Sequence, residues 1–319
     1  MKIALIGAGA AGAACVSVLR SRGADFCVFE KSRGVGGRLC TRRVSDVIPG
    51  HNLLFDHGCP SFRLTKKLQE QLAQLIGAHT LKQLNEREWV STPSMPQLIK
   101  ELLGSTPIQT QCEIAAVIGA PGEWYLVEKQ KDNNENPRRH GPFQKVVLTA
   151  PAPQALNLLR NTEHDWAASL NDVQYSTCWV LLTSLRLSPS TEFRPSQIFS
   201  SIRCQNLISE RSQFENITNW VSCTNPDWSQ QHLEQEASEV HKLLREELFR
   251  ALGHEPSEIL YSNVHRWRYA QVTKSLSTPY LHDSSESIFY TSDACLGNGV
   301  EGALSSGFKT GTLISSYLS

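Results

Sequence analysis

At 319 residues the chain exceeds one ordinary module, so its length predicts two domains or one large domain carrying an insertion. Lys plus Arg balances Asp plus Glu at 31 each and no basic block stands out, which argues against nucleic acid or an anionic membrane surface as partner and leaves a small molecule. Nine cysteines, scattered and never spaced C-x-x-C, argue against a disulfide framework, a structural zinc and a dithiol centre, so no metal is expected.

No apolar run approaches the roughly 20 residues of a membrane span. The first core strand starts at Lys2, which leaves no room for a secretory signal, and the expected compartment is the cytoplasm.

The strand-like run Lys2 to Ile6 leads into Gly7-Ala8-Gly9-Ala10-Ala11-Gly12 and a helical stretch ending near Arg22-Gly23. In such a turn the first glycine permits the bend, the second lets backbone approach a pyrophosphate, and the third lets helix pack on strand. The helix N-terminus adds unpaired N–H groups and the positive end of its dipole. A second buried strand, Phe26 to Phe29, ends on Glu30, 18 residues after Gly12 and close to the spacing of a carboxylate that holds a ribose hydroxyl. The order strand, glycine turn, helix, strand, acid predicts a dinucleotide site, with NAD and FAD both open at this point.

Lys31-Ser32-Arg33-Gly34-Val35-Gly36-Gly37-Arg38 is a second glycine-rich turn that an NAD fold does not require. Its amides with Arg33 and Arg38 are expected to neutralise the pyrophosphate from the side opposite the first loop. Leu53 to Phe62 reads as a short strand bending at Gly58, where backbone can approach a flat ligand; Asp56, His57 and Gly58 are cofactor candidates. Apolar spacing from Leu64 to Leu84 predicts a helix, and Ser94 and Pro96 mark the start of another over Gln97–Leu103.

Ile108–Val117, Glu123–Glu128 and Lys145–Leu148 read as strands of a small meander, with a polar run from Lys129 to Arg139 between the last two. Thr149-Ala150-Pro151-Ala152-Pro153 ends it, a small-residue turn at a strand's carboxyl end that suits a cofactor crevice and makes Ala150 and Pro151 candidates. Residues 156 to 285 carry no second nucleotide motif but many aromatics, strand-like runs at Cys178–Leu182 and Ile217–Val221, and an amphipathic helix over Leu233–Leu252. His232 and His241 read as solvated. Ile288–Asp293 reads as a strand ending in an acid placed for a polyol hydroxyl, before Gly297-Asn298-Gly299 and a final helix from Val300 to Leu318. That helix N-terminus can face the electron-rich edge of a flavin. Asp293 and the final helix, read with the second turn, favour FAD.

In one order, Gly7-x-Gly9-x-x-Gly12, Glu30, the Lys31–Arg38 turn, Asp56-His57-Gly58, Pro93-Ser94-Met95, Thr149 to Gln154, Asp227-Trp228-Ser229, His265-Arg266-Trp267-x-Tyr269-Ala270 and Val300-Glu301-Gly302-Ala303 resemble the renalase family, especially its bacterial members, within the flavin amine oxidase superfamily. The resemblance implies an α/β fold with a Rossmann-like FAD-binding domain, parallel sheet and β-meander, plus a discontinuous α+β substrate domain. The expected boundaries are 1–58, 91–155 and 286–319 for the first and 59–90 and 156–285 for the second. It implies FAD on Gly7, Gly9, Gly12, Glu30, Arg38, Asp293, Val300 and Glu301, with Ile114 meeting the adenine; Ala10, Ala11, Lys31, Arg33, Gly36 and Gly37 of the two turns are further cofactor candidates, and the FAD is expected to be non-covalent.

The implied activity is an oxidase that passes hydride from 2- or 6-dihydro-NAD(P) isomers to flavin N5 and then to O2, giving NAD(P)+ and hydrogen peroxide. Ring wall candidates are His265, Trp267 and Tyr269. Alternatives on the same scaffold are an amine oxidase, a desaturase, or a flavin-holding binding protein without turnover. Departures at Ala294 (Trp in the family), Cys59-Pro60 (Ala-Gln) and Ser201–Glu215 bear on the substrate and leave the FAD residues untouched. Cys295, near the expected flavin edge, reads as an inert buried thiol.

Overall fold

The computed structural model describes residues 1–130, 137–162, 164–188, 190–205, 217–256 and 258–318. The chain opens with β1 (Lys2–Ile6), α1 (Ala10–Ser21) and β2 (Asp25–Phe29), followed by a hairpin of β3 (Thr41–Ile48) and β4 (His51–Asp56). Next come α2 (Lys66–Ala73), the short pair β5 (Leu81–Gln83) and β6 (Trp89–Ser91), α3 (Pro96–Leu103) and β7 (Ile108–Gln109). The middle holds β8 (Ile114–Ala120), β9 (Glu123–Glu128), β10 (Arg139–Phe143), β11 (Lys145–Leu148) and α4 (Ala152–Leu158). Then follow β12 (Gln174–Leu185), β13 (Phe199–Cys204), β14 (Thr218–Thr224), α5 (Pro226–Gln231), α6 (Ala237–Leu252) and β15 (Ile259–Lys274). The last elements are β16 (Leu281–His282), β17 (Ile288–Tyr290), α7 (Asp293–Leu296) and α8 (Val300–Ser315). Among the described residues no helix is long and apolar enough to cross a membrane.

A six-stranded sheet in the order β16-β17-β11-β1-β2-β7 is parallel except at β16. Both its faces are covered, as a parallel sheet requires, and β1 shows how. Ile3 and Leu5 enter a core with α1, α3 and α8, while Ala4 and Ile6 enter another with α4 and the antiparallel sheet β10-β9-β8. The second large sheet, β13-β14-β12-β15, is antiparallel. Along β12, Trp179, Leu181 and Leu185 pack on Val240, Leu244 and Leu248 of α6, whereas Val180 and Leu182 pack on Leu53 and Phe55 of β4. This period-2 division is that of a strand buried on both sides.

Several expectations are corrected. The periodicity from Leu64 to Leu84 yields a helix only over Lys66–Ala73. Leu68 and Leu72 are buried, but Leu75 is exposed, and the chain turns because Glu101 accepts the Gly77 amide at 2.7 Å and the Thr80 hydroxyl at 2.6 Å. Ile108–Val117 is two strands in two sheets, broken where Gln111 adopts φ 56°. The helix expected over Leu233–Leu252 starts at Ala237. Ile288–Asp293 ends as a strand at Tyr290; Ser292 caps the following turn by accepting the Ala294 amide at 3.0 Å, and Asp293 begins α7. Part of the Lys129–Arg139 run and most of Ser201–Glu215 lie outside the described residues. Ile217–Val221 falls in β14 with Ile217 just outside it, and the strands β3 and β15 were not foreseen.

α1 and α8 cross at backbone distance. A Cβ on Gly307 would stand 2.1 Å from the Ala11 carbonyl oxygen, and one on Gly311 would stand 2.8 Å from that of Cys15. Gly307→Ala should therefore destabilise the protein by about 1–3 kcal/mol through overpacking, although Ala is the better helix former by about 1 kcal/mol. Urea unfolding measures the difference; an unchanged or raised midpoint would show that the helices can separate at little cost.

Candidate cofactor and active site

The two glycine turns meet edge to edge at the carboxyl end of the parallel sheet. Gly7 is at φ 110°, and a Cβ there would fall 2.3 Å from Thr149 Oγ1, whose hydroxyl donates to the Ile6 carbonyl at 3.0 Å. The Thr149 turn thus sits under the first glycine turn. Gly36 donates to the Ala8 carbonyl at 2.9 Å, and a Cβ on Gly37 would lie 3.5 Å from the Gly9 Cα, so backbone alone lines the gap. Ala10, Ala11 and Gly12 form the first turn of α1, where amides have no acceptor within the helix.

Glu30 is buried at the end of β2. Its two carboxylate oxygens accept the Ala8 amide at 2.9 Å and the Ser32 amide at 2.8 Å, tying the two turns together. Each oxygen retains a lone pair for a further donor. Beyond it a polar cleft of about 850 Å3 is lined by Lys31, Ser32 and Arg33 on one side and Gln111, Glu113 and Lys129 on the other. Ile114, at the start of β8, is buried in the core shared with β1 and α4. Ala150 and Pro151 are half-buried at the end of β11, and the next amide, Ala152, donates to the Tyr175 hydroxyl at 2.9 Å.

Arg38 and Asp293, 255 residues apart, form a bidentate pair at 2.7 and 2.6 Å. The Arg38 fork also donates to the Tyr269 and Ala270 carbonyls at 3.4 and 3.3 Å. Asp293 is 1% exposed and Arg38 25%, so the pair sits where an unpaired carboxylate is expensive. The sequence reading assigned these residues separate cofactor contacts; here they first hold each other. Asp56 is fully buried and accepts from Thr41 Oγ1 within the β3–β4 hairpin. Glu301, at the start of α8, accepts the Thr65 amide at 3.1 Å, and Val300 is half-buried beside it.

β15 carries His265 and Trp267 at alternate positions on one face, their ring centroids 4.5 Å apart, and Tyr269 follows where the register with β12 shifts. His57 meets that face: its ring centroid lies 4.7 Å from that of His265 and 5.5 Å from that of Trp267, and its carbonyl accepts Trp267 Nε1–H at 3.0 Å. Tyr269 meets Tyr175 edge-on at 5.2 Å. The approach expected at Gly58 is taken by protein, since a Cβ there would fall 2.2 Å from the Arg38 carbonyl oxygen and 2.8 Å from the Trp267 ring. The Arg38 backbone first, and the Trp267 ring behind it, thus require glycine at this position.

Burial lowers His57 to about 4, with His265 adding to the effect, and burial together with the Arg42 cation lowers His265 to about 4. Cys40 Sγ lies 3.6 Å from His57 Nε2, but burial pushes its thiol up to about 12, so thiol and imidazole are both neutral near pH 7. Tyr175, Cys40 and Thr41 are the contacts that sequence reasoning missed; no spacing signal points to them. His232 and His241, expected to be solvated, are half-buried: His232 stacks on Trp228 at 3.9 Å and His241 Nε2 lies 2.6 Å from Ser262 Oγ. Ala294 is fully buried in the core, and Cys59 Sγ donates to the Ser61 carbonyl at 3.0 Å.

A family model described as an NAD(P)-binding Rossmann-like domain matches residues 5–82. The whole chain is similar in structure to a protein of Exiguobacterium sp. 255-15 described as a protoporphyrinogen oxidase, with TM-score 0.68, 11% identity and 99% of each chain covered. It is also similar to cyclohexylamine oxidase from Brevibacterium oxydans IH-35A (TM-score 0.62, 11% identity, 99% of each chain) and to putrescine oxidase bound to putrescine (0.62, 12%, 99% of each chain). At these identities the likeness is one of fold: a Rossmann-like unit with a mixed sheet, joined to a separate antiparallel sheet.

Two outcomes are expected. Arg38→Ala, which leaves the Asp293 carboxylate buried and unpaired, should cost about 3–5 kcal/mol in urea unfolding, and Arg38→Ala/Asp293→Ala should recover part of that; a double variant less stable than the single one would contradict the pairing. Because His57 and His265 titrate near 4 when folded and near 6.5 when unfolded, the unfolded chain binds more protons between these values. Stability should fall as pH drops from 6.5 towards 4 and level off below. His57→Asn/His265→Asn should flatten that slope in unfolding midpoints taken across the window.

Proposed function

We propose that the chain holds FAD non-covalently and is an oxidase of dihydronicotinamide isomers, returning 2- or 6-dihydro-NAD(P) to NAD(P)+ with O2 as electron acceptor and H2O2 as product. The cofactor unit is assigned residues 1–58, 91–155 and 286–319, and the substrate unit 59–90 and 156–285. The residues fit the dinucleotide: two turns meet with no side chain between them, a buried Glu30 keeps acceptor capacity, and the first turn of α1 offers unpaired amides. At the other end, Gly299 at φ 58° has open space on its Cβ side at the start of α8. Cys295 is fully buried and its thiol is pushed up to about 11 by burial, which supports a dissociable cofactor.

The observation that carries the substrate class is the character of the β15 wall. His57 and His265 are neutral, and with Trp267 and Tyr269 they present flat, uncharged surfaces. FAD supplies a hydride acceptor. A dihydropyridine needs no proton abstracted as its hydride leaves, so the wall's task is to orient a planar ring and exclude water. Arg38, held by Asp293 and two β15 carbonyls, fixes that wall relative to the second glycine turn.

The fold shared with cyclohexylamine oxidase and putrescine oxidase favours amine oxidation as a second reading. Rapid mixing under anaerobic conditions separates the two. Bleaching of the flavin absorbance by 2- or 6-dihydro-NAD(P), with none by putrescine or cyclohexylamine, is expected; bleaching by the amines alone would transfer the assignment to them. Steady peroxide formation would exclude a binding protein without turnover.

A further inference from the structure

We propose that Cys112, Glu128 and His140, beside the cleft at Glu30 but on side chains assigned neither to the cofactor nor to the substrate, form a binding site for one thiophilic divalent cation of the zinc class. The β9–β10 hairpin turns one face to the core, with Trp124 paired to Phe143 and Leu126 to His140, and Trp124, Leu126 and Phe143 are buried. Glu128 and His140 continue that apolar row, where ionisable side chains are out of place unless they are paired or hold an ion. The His140 side chain is 8% exposed and that of Glu128 18%, and the Phe29 ring lies 4.9 Å from the His140 ring.

An ion pair of His140 with Glu128 does not call for a thiol, yet one is delivered to the same atom. His140 Nε2 lies 3.1 Å from Glu128 Oε2 and 3.7 Å from Cys112 Sγ, and all three donor atoms fall within 4.8 Å of one another. Zinc bonded at about 2.3 Å to sulfur and about 2.0–2.1 Å to nitrogen and oxygen sets tetrahedral edges of about 3.6 Å for S–N and about 3.3 Å for N–O. The two observed separations match those edges. Cys112 is positioned by backbone: its amide donates to the Glu30 carbonyl at 3.0 Å, and the Gln111 amide donates to the Ser32 carbonyl at 3.0 Å.

The donors come from the β7–β8 turn and from two strands of a hairpin, so no short spacing announces them, and the C-x-x-C criterion does not reach this site. One thiolate and one carboxylate neutralise the dication, neutral His140 binds through Nε2 with its ring proton on Nδ1, and water completes the tetrahedron. Binding exchanges the Cys112 S–H bond for a metal–sulfur bond and needs the His140 Nε2 lone pair, so the thiol proton and any proton carried on Nε2 leave to solvent.

Chelator-stripped full-length protein titrated with Zn2+ against a chromophoric competitor, and with Co2+ as optical probe, tests the site. Expected are one equivalent bound, a thiolate-to-cobalt charge-transfer band, proton release on binding, and a higher melting temperature with Zn2+. Cys112→Ser and His140→Gln should each weaken binding at least about 100-fold, beyond the 10–100-fold typical of outer-shell partners. Glu128→Gln is a near-isosteric variant that keeps the core shape and should still weaken binding. Cys40→Ser, which removes the thiol beside His57, should leave binding unchanged. Absence of the cobalt–thiolate band, equal affinity in Cys112→Ser, or loss of binding in Cys40→Ser would each overturn the assignment.

Discussion

A carboxylate at 1% exposure sets the terms for the site, because Asp293 is tolerable there only while Arg38 answers it with two hydrogen bonds. The guanidinium is planar and forked, so once it meets Asp293 in register its remaining donors are aimed, and they fall on the carbonyls of Tyr269 and Ala270. Three segments far apart in sequence are thereby fixed to one rigid plane: the second glycine turn, the ring-bearing strand and the start of the short helix at Asp293. Lysine could not do this with its single point charge.

The same economy of contact governs the rest of the cofactor end. Glu30 joins the two glycine turns with its own two oxygens, and Thr149 props the first turn from below. Side chains are kept out of the gap and placed behind it. The neutral imidazoles of His57 and His265 follow from their depth and from the Arg42 cation, and both rings lie against Trp267.

The order β1, glycine turn, α1, β2 and buried Glu30 could be read from sequence because its constraints are local: glycines at the turn, an apolar strand on either side and an acid at the strand end are all contained in residues 2–38. Lys145–Leu148 was readable as a strand, being short, apolar and closed by a proline-rich turn, but its sheet was not: it lies between β1 and β17 in the parallel sheet, and the third strand of the meander is Arg139–Phe143. The wall residues His265, Trp267 and Tyr269 came from family resemblance, since a half-buried strand with polar and aromatic residues on both faces shows no clean alternation; the strand itself was missed. Leu64–Leu84 failed for the converse reason. Its helical spacing continued past the point where Glu101, reaching in from another helix, captured the Gly77 and Thr80 backbone and side chain. The Arg38–Asp293 and Cys112–His140 contacts depend on tertiary neighbours that no window along the chain contains.

The glycine contact between the first and last helices has a temporal meaning. Gly307 and Gly311 press directly on the Ala11 and Cys15 backbone, so the helix after the first glycine turn finds this packing partner only once a segment about 290 residues further along has been made. During synthesis the first glycine turn is made early and its helix is supported late. Until α8 docks, α1 and α3 hold that face of the central sheet, and the α1 backbone at Ala11 and Cys15 lacks its close neighbour.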